Sequence, residues 1–189
     1  EDLLEPRLDP GSDAKAVARG LPACPGAASG KVTFSAREAQ RLGPHEPVIL
    51  VRVETSPEDV AAMKVAAGVL TARGGMTSHA AVVARGLGRP CVVGCSALAI
   101  DPVQKTLRIA GTHEVAEGDI ITIDGGTGDV LIGQMQTVRR AANDAFDRLM
   151  SWADRHRRLQ VRANADTVEE AEVARRLGAE GVGLWSGDR

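Results

Sequence analysis

The chain has 189 residues, a net charge of −2 and a hydrophobic content of 43%, while aromatic residues make up only 2%. Its 23 basic and 25 acidic residues leave no excess of positive charge with which to hold nucleic acid or an anionic membrane. The scarcity of aromatic rings also argues against a platform on which bases stack. This composition favours an α/β protein whose core is built from Ala, Val, Leu and Ile.

Three cysteines, Cys24, Cys91 and Cys95, are too few and too unevenly placed for a disulfide framework. We expect them to be buried small residues in a protein of the reducing cytoplasm, and we expect no metal site here. No apolar run approaches the ~20 residues that a membrane span needs. Because the chain begins at Glu1 rather than Met and stops at Arg189 just after an apolar run, we interpret it as part of a longer protein.

Residues 1–20 mix charges with proline and glycine, which predicts a linker in which only residues 13–19 could form a short helix. From residue 21 to residue 134, short β-branched runs separated by Gly and Pro predict a series of strands. The predicted strands are residues 31–34, 48–53, 68–71, 91–93, 107–109, 120–123 and 130–132.

Two helices are predicted among these strands, at residues 57–66 behind the N-cap Ser56 and at about residues 78–87 before Gly88. The glycine-rich segment 124–129 predicts a hairpin turn, although its acidic residues leave a metal site as an alternative.

The last fifty residues have a different pattern. Apolar residues at three- and four-residue spacing predict a long helix over 137–158 with one buried face. A strand at 160–163, a helix that Thr167 caps and that runs to Leu177, and a strand at 181–184 then predict one βαβ unit. Such a unit has open edges and needs further structure to cover its faces.

Residues 70–94 hold the best candidate for chemistry. A predicted strand ends near Thr71, Gly74 and Gly75 follow, and His79 stands at the start of the next helix. The glycines allow close approach of a ligand, and the unpaired N–H groups of a first helical turn attract an anion. A neutral imidazole nitrogen can attack phosphorus and later leave it, so His79 is a candidate phosphoryl carrier. From position alone, a structural histidine remains the alternative.

The segment GGMTSHAAVVARGLG, residues 74–88, resembles the phosphohistidine signature of the phosphoenolpyruvate-utilising enzymes and is most similar to the pyruvate phosphate dikinases of that family. Phosphoenolpyruvate synthases usually have Cys where this chain has Ser78. The resemblance extends over about nine tenths of the chain. It implies an α/β fold with the following parts: a linker at 1–20, a swivelling β/β/α phosphohistidine domain at 21–134, a linker helix at 135–159, and at 160–189 the start of a phosphoenolpyruvate/pyruvate-binding TIM barrel that is incomplete here.

The resemblance also implies a reaction. His79 would carry a phosphoryl group, through pyrophosphoryl and phospho intermediates, between a nucleotide-binding domain and the phosphoenolpyruvate/pyruvate domain. The enzyme would interconvert ATP, phosphate and pyruvate with AMP, diphosphate and phosphoenolpyruvate. Mg²⁺ and a monovalent cation would serve the flanking domains, and this segment itself would hold no cofactor.

Other residues near His79 have implied or alternative roles. By resemblance, Gly74, Gly75, Thr77 and Ser78 support the phosphate site, and Thr77 is the target of a regulatory kinase in related dikinases; the alternative is that Thr77 only caps the helix. A phosphate on Thr77 would repel an incoming nucleotide phosphate. Arg73 and Arg85 could contact phosphate or could be solvated charges.

The resemblance fails at the end of the chain. Where the family continues with a Cys-Arg-Thr-Glu run containing a substrate-binding Arg, this chain has Ser186 in the place of that Arg. Three interpretations therefore stay open: the phosphotransfer domain of a working dikinase, a truncated paralogue that passes phosphate to another acceptor, or a regulatory or binding domain without catalysis. A homodimer also stays open.

Overall fold

The computed structural model describes residues 6–9, 15–138, 144–165, 167–176 and 178–183. The chain divides into two compact units, residues 1–141 and residues 142–189.

The described strands of the first unit are β1 (Arg7–Leu8), β2 (Ala18–Arg19), β3 (Leu21–Cys24), β4 (Ala27–Thr33), β5 (Val48–Arg52), β6 (Gly68–Thr71), β7 (Cys91–Val93), β8 (Leu98–Asp101), β9 (Thr106–Ile109), β10 (His113–Ala116), β11 (Ile120–Asp124), β12 (Asp129–Ile132) and β13 (Thr137–Val138). Its described helices are α1 (Ala36–Leu42), α2 (Val60–Val65), which follows a 3₁₀ turn at Pro57–Asp59, and α3 (His79–Leu87).

Eight strands form one sheet in the order β2-β12-β11-β4-β5-β6-β7-β3. Strands β4, β5, β6 and β7 run parallel to one another at its centre. Strand β5 is apolar at every position from Val48 to Val51, and all four side chains are fully buried. Alternate residues of a strand point to opposite faces, so both faces of this sheet must be covered.

The three helices cover one face. Val48 and Leu50 of β5 pack in one cluster with small side chains of the helices, namely Ala39, Ala62, Ala80, Ala81 and Ala84. Alanines let each helix approach the sheet closely without a large side chain between them. The aliphatic core predicted from the composition is thus confirmed.

A smaller antiparallel sheet, in the order β10-β9-β8, covers the other face. Ile49 and Val51 of β5 pack there with Leu107 and Ile109 of β9. The first unit therefore has three layers, a small sheet, a large sheet and a layer of helices. This arrangement is the β/β/α architecture that the resemblance implied.

Two segments differ from their predicted structure. Ala18–Arg19 is not helical but forms β2, because it pairs with Asp129 and Val130 of β12 and the Arg19 guanidinium binds the Asp129 carboxylate at 2.7 Å. Thr137–Val138 is not the start of the long helix but forms β13, which pairs with β1. Both pairings join residues more than 100 positions apart in the chain.

The predicted hairpin at 124–129 is confirmed, since β11 and β12 are antiparallel and the Asp124 carboxylate accepts hydrogen bonds from the N–H groups of Gly126 and Thr127. Besides β2 and β13, five described elements of the first unit were missing from the predicted set: β1, β3, α1, β8 and β10. They are short, and they are held by packing against the rest of the unit rather than by a strong local pattern.

The second unit contains α4 (Asp144–His156), β14 (Arg162–Ala163), α5 (Val168–Arg176) and β15 (Gly181–Val182). Strands β14 and β15 are parallel, so the predicted βαβ arrangement is present. Leu177 and Leu184, the predicted ends of two elements, lie outside the described residues. The prediction that one face of the long helix is buried is wrong, because Leu149 and Trp152 of α4 are 58% and 49% exposed. None of the described helices combines the length and apolarity that crossing a membrane requires.

Candidate functional site

His79 is the first residue of α3, as predicted. The N-cap is Ser78, whose Oγ accepts a hydrogen bond from the N–H of Ala81 at 3.4 Å, and whose carbonyl accepts one from Val82 at 3.0 Å. Within the described residues, the N–H groups of His79 and Ala80 have no hydrogen-bond acceptor. These two donors and the positive end of the helix dipole can therefore bind an anion beside the imidazole.

The segment between β6 and α3 contains Gly74 and Gly75, and we call it the glycine loop. Its conformation depends on these two glycines. Gly74 adopts a φ of +109°, which L side chains rarely adopt. A Cβ on Gly75 would meet no atom within 4 Å, so the space beside this residue is open. The carbonyl of Gly75 accepts the N–H of Ser78 at 2.9 Å and closes the turn into the helix. The loop thus leaves room for a ligand next to His79.

Sequence reasoning missed Thr55, whose Oγ1 lies 3.1 Å from Nδ1 of His79. Thr55 lies just after β5, and the glycine loop lies just after β6. These strands are parallel neighbours, so the segments that follow them meet at the same edge of the sheet. The predicted cap at Ser56 marked this loop, but nothing in the local sequence indicated the contact. With Nδ1 engaged by the hydroxyl, Nε2 is the ring nitrogen left for another partner.

The two arginines near the site differ in what they contact. Arg85 donates through Nη2 to the carbonyl of Met76 at 2.7 Å and through Nη1 to the carbonyl of Ala23 at 3.1 Å. It therefore ties the loop before His79 to the end of β3. Arg73 is exposed, and its side chain has no hydrogen-bond or ion-pair partner among the described residues.

Thr77 is exposed and precedes the N-cap. The alternative that Thr77 caps the helix is wrong, because the side chain of Ser78 makes the capping hydrogen bond. The Thr77 hydroxyl therefore does not cap the helix, and it is exposed to solvent two residues before His79.

The three cysteines are buried and form no disulfide, as expected; Cys24 and Cys91 pack with the helices, and Cys95 packs on the other face of the large sheet. Cys91 contacts the carbonyl of Ala80 through its sulfur at 4.0 Å. Burial raises the pKa of the Cys91 thiol to about 12, with a further contribution from neighbouring Cys24. These thiols are core side chains, and the described residues contain no group of three or more His, Cys, Asp or Glu that could hold a metal ion.

Comparison with known proteins agrees with this geometry. Residues 44–128, which include the glycine loop, Thr55 and His79, match the family model "PEP-utilising enzyme, mobile domain". The chain is similar to proteins named pyruvate, phosphate dikinase from Rickettsia typhi (52% identical over 96% of this chain and 21% of that one) and Clostridium symbiosum (50%, 97% and 21%). It is also similar to the chloroplastic pyruvate, phosphate dikinase 1 of Arabidopsis thaliana (51%, 97% and 19%).

The chain thus spans about a fifth of the length of these curated relatives. Among solved structures, the chain is similar to one described as "N-terminal domain of Enzyme 1 - Nitrogen", with a TM-score of 0.43 and 14% identity. The match covers 73% of this chain and 98% of that one, and it is too distant to support an argument. The family model and the dikinase relatives confirm the resemblance found in the sequence. Residues 44–128 of this chain thus match the mobile domain of the PEP-utilising enzymes, and nearly the whole chain is similar to a segment of the pyruvate, phosphate dikinases.

Proposed function

We propose that the chain is the phosphotransfer segment of a pyruvate phosphate dikinase and that His79 is its phosphoryl carrier. One observation supports this most directly. Nδ1 of His79 is engaged by Thr55 at 3.1 Å, and within the described residues the backbone N–H groups of His79 and Ala80, in the first turn of α3, have no hydrogen-bond acceptor. This arrangement leaves Nε2 as the nucleophile and provides donors for the phosphoryl oxygens.

The transfer itself is a substitution at phosphorus. The lone pair of Nε2 attacks the β-phosphorus of ATP and forms a P–N bond while the P–O bond to the α-phosphate breaks, and the bonding electrons leave with the oxygen of AMP. An oxygen of inorganic phosphate then takes the terminal phosphoryl group from pyrophosphoryl-His79, which releases diphosphate and leaves one phosphoryl group on Nε2. The N–H groups of His79 and Ala80 bind the oxygens of the transferred group. In the second half-reaction the P–N bond breaks, and the enolate oxygen of pyruvate takes the phosphoryl group to give phosphoenolpyruvate.

The remaining site residues have supporting parts in this proposal. Gly74 supplies the positive φ of the loop, the space beside Gly75 is open to a ligand, and Ser78 fixes the start of the helix. Arg73 is free to meet an incoming phosphate, whereas Arg85 is already bound to two carbonyls. Phosphorylation of Thr77 would place about −1.5 to −2 charges beside His79 and block transfer by repulsion.

The proposal includes two partner domains of the same enzyme, a nucleotide-binding domain and a phosphoenolpyruvate/pyruvate domain. Residues 21–134 would swivel between them together with β2 (Ala18–Arg19), which is an edge strand of the same sheet. The rest of residues 1–20 and residues 135–159 would act as tethers, and residues 160–189 would begin the barrel. Mg²⁺ and a monovalent cation would act in those partner domains in the cytoplasm. The described residues of this chain offer no ligand set that fits a metal, so no step here is assigned to one.

The departure at Ser186 keeps a second candidate, a paralogue that phosphorylates another acceptor. Residues 184–189 lie outside the described residues, so the support for this candidate comes from the sequence alone. Both candidates share the first half-reaction, in which His79 receives the phosphoryl group.

The decisive experiment measures intact mass after the chain is mixed with its nucleotide-binding domain, ATP, Mg²⁺ and phosphate. We expect an acid-labile gain of one phosphoryl group that His79→Ala removes. His113→Ala is the matched control, since His113 also has a threonine hydroxyl, that of Thr112, 3.0 Å from its Nδ1. No gain from a nucleotide domain shown to bind ATP would refute the proposal. Addition of pyruvate then separates the two candidates, because only the dikinase forms phosphoenolpyruvate.

A further inference from the structure

Asp59 is a buried carboxylate for which the proposed chemistry has no direct use. It lies on the 3₁₀ turn after β5 and is 1% exposed. Its Oδ2 accepts the backbone N–H of Ser56 at 2.9 Å and the hydroxyl of Ser56 at 3.4 Å. A buried charge is costly unless it is both paired and hydrogen-bonded, so its surroundings must supply both.

The partner charge is Arg52, the last residue of β5. Its Nε lies 3.4 Å from the same Oδ2 of Asp59, which makes an ion pair without an aligned hydrogen bond. The other end of the guanidinium is anchored, because Nη1 donates to the carbonyl of Phe34 at 2.9 Å. Asp59 is therefore connected to the central sheet through Arg52.

Residues 53–56, which we call the Thr55 loop, are held at both ends. At one end, the carbonyl of Val53 accepts the N–H of Arg73, which lies just after β6, at 2.9 Å. At the other end, Ser56 is bound by Asp59. Thr55 stands between these two anchors, and its hydroxyl lies 3.1 Å from Nδ1 of His79.

We propose that Asp59, paired with Arg52, is a positioning residue for phosphoryl transfer, because it fixes the Thr55 loop so that the Thr55 hydroxyl holds the imidazole of His79. The inference rests on the proposed function of His79. Asp59 does not touch the reacting atoms and acts only through Ser56 and Thr55. When the Thr55 hydroxyl accepts a hydrogen bond from Nδ1–H, the lone pair stays on Nε2, and a displaced hydroxyl would free the ring to change tautomer and rotamer.

A purely structural role for Asp59 makes a different prediction. A carboxylate that only caps the turn would change stability when replaced, but it would leave the imidazole as it is. Asp124 is the matched control, because it is also a nearly buried carboxylate that accepts two backbone N–H groups in a turn, without a link to His79. Thr112, which pairs with His113 in an exposed turn, is the matched control for Thr55.

The first measurement is ¹⁵N NMR of the histidine rings in the 189-residue chain. We expect Asp59→Asn and Thr55→Val to shift the His79 ring nitrogens in the same direction, toward a mixture of tautomers. Asp124→Asn and Thr112→Val should leave the His79 signals unchanged. An Asp59→Asn spectrum that keeps the wild-type His79 signals in a folded protein would overturn the inference, whether or not His79 is ever phosphorylated.

The second measurement is the rate of His79 phosphorylation by phosphoramidate, a small donor that needs no partner domain. We expect Asp59→Asn and Thr55→Val each to slow the reaction about tenfold, since small misplacements of a reacting group cost this much or more. The double variant should be no slower than Thr55→Val alone, because Asp59 acts through Thr55. Additive losses would overturn the inference.

These outcomes separate the two proposals. If the wild-type chain takes no phosphoryl group from phosphoramidate or from its nucleotide domain, the proposed function fails, and the NMR result still decides whether Asp59 positions the ring. If the wild-type chain is phosphorylated and Asp59→Asn matches Asp124→Asn in both measurements, the inference about Asp59 fails alone.

Discussion

Gly94, just after β7, lies directly against the carbonyl of Gly74, so that a Cβ built on Gly94 would be 2.5 Å from that oxygen. Gly94 also has a φ of +63°, which costs a non-glycine residue about 1 to 2 kcal/mol. The glycine loop that precedes His79 thus rests on a position where a side chain fits neither the backbone angle nor the space.

Gly94→Ala should lower the free energy of unfolding by about 2 kcal/mol or more, because the strain and the contact with the Gly74 carbonyl add together. Gly75→Ala is the control, since its Cβ would meet no atom within 4 Å, and it should change stability by less than about 0.5 kcal/mol. Urea unfolding of both variants measures this difference. Equal stability of the two would show that the contact is relieved at little cost.

Arg85→Ala should destabilise the first unit by about 1 kcal/mol, because two carbonyls, those of Met76 and Ala23, lose a charged donor. Arg73→Ala should leave stability unchanged and should instead weaken the binding of the phosphoryl donor. Thermal unfolding and the phosphorylation rate at His79 are measured for each. The two roles would be reversed if Arg73→Ala lowered the unfolding temperature and Arg85→Ala lowered only the phosphorylation rate at His79.

Ser78→Ala should lower stability by about 1 kcal/mol and should slow phosphorylation of His79, because the cap fixes the first turn of α3. Ser35→Ala is the matched control, since Ser35 caps α1 with a hydrogen bond of the same length, 3.4 Å, from Glu38. Its stability loss should be similar, with no change in phosphorylation rate. A rate loss in both variants would mean that the rate follows general stability rather than the cap beside His79.

The Arg19–Asp129 pair should make β2 pH-dependent. The hydrogen bond from Arg19 lowers the pKa of Asp129 below its ordinary value. The stabilisation is therefore complete above the ordinary carboxyl pKa of about 4 and is lost as the pH falls through the lowered pKa. Asp129→Asn should be less stable than the wild type at about pH 7, and the difference should shrink at about pH 3. A difference that grows toward acid pH would contradict this sign.

Local sequence signals predicted the central strands, the helix that begins at His79 and the turn at 124–129. These elements depend on features that act within a few residues, such as the β-branched run of β5, the cap at Ser78 and the glycines after β11. The phosphohistidine resemblance was found in the same way, since its characteristic residues form one continuous segment around His79.

The tertiary structure decided what distant residues do to one another. Ala18–Arg19 is a strand only because β12, more than 100 residues away, offers it an edge. Thr55 and His79 are 24 positions apart in the sequence. Their side chains meet only because β5 and β6 are parallel neighbours in the sheet. Nothing in the sequence distinguishes Asp59 except that it lies three residues after the N-cap Ser56. Backbone propensity acts along the chain, whereas strand pairing and hydrogen bonds between loops depend on where the folded chain brings its segments together.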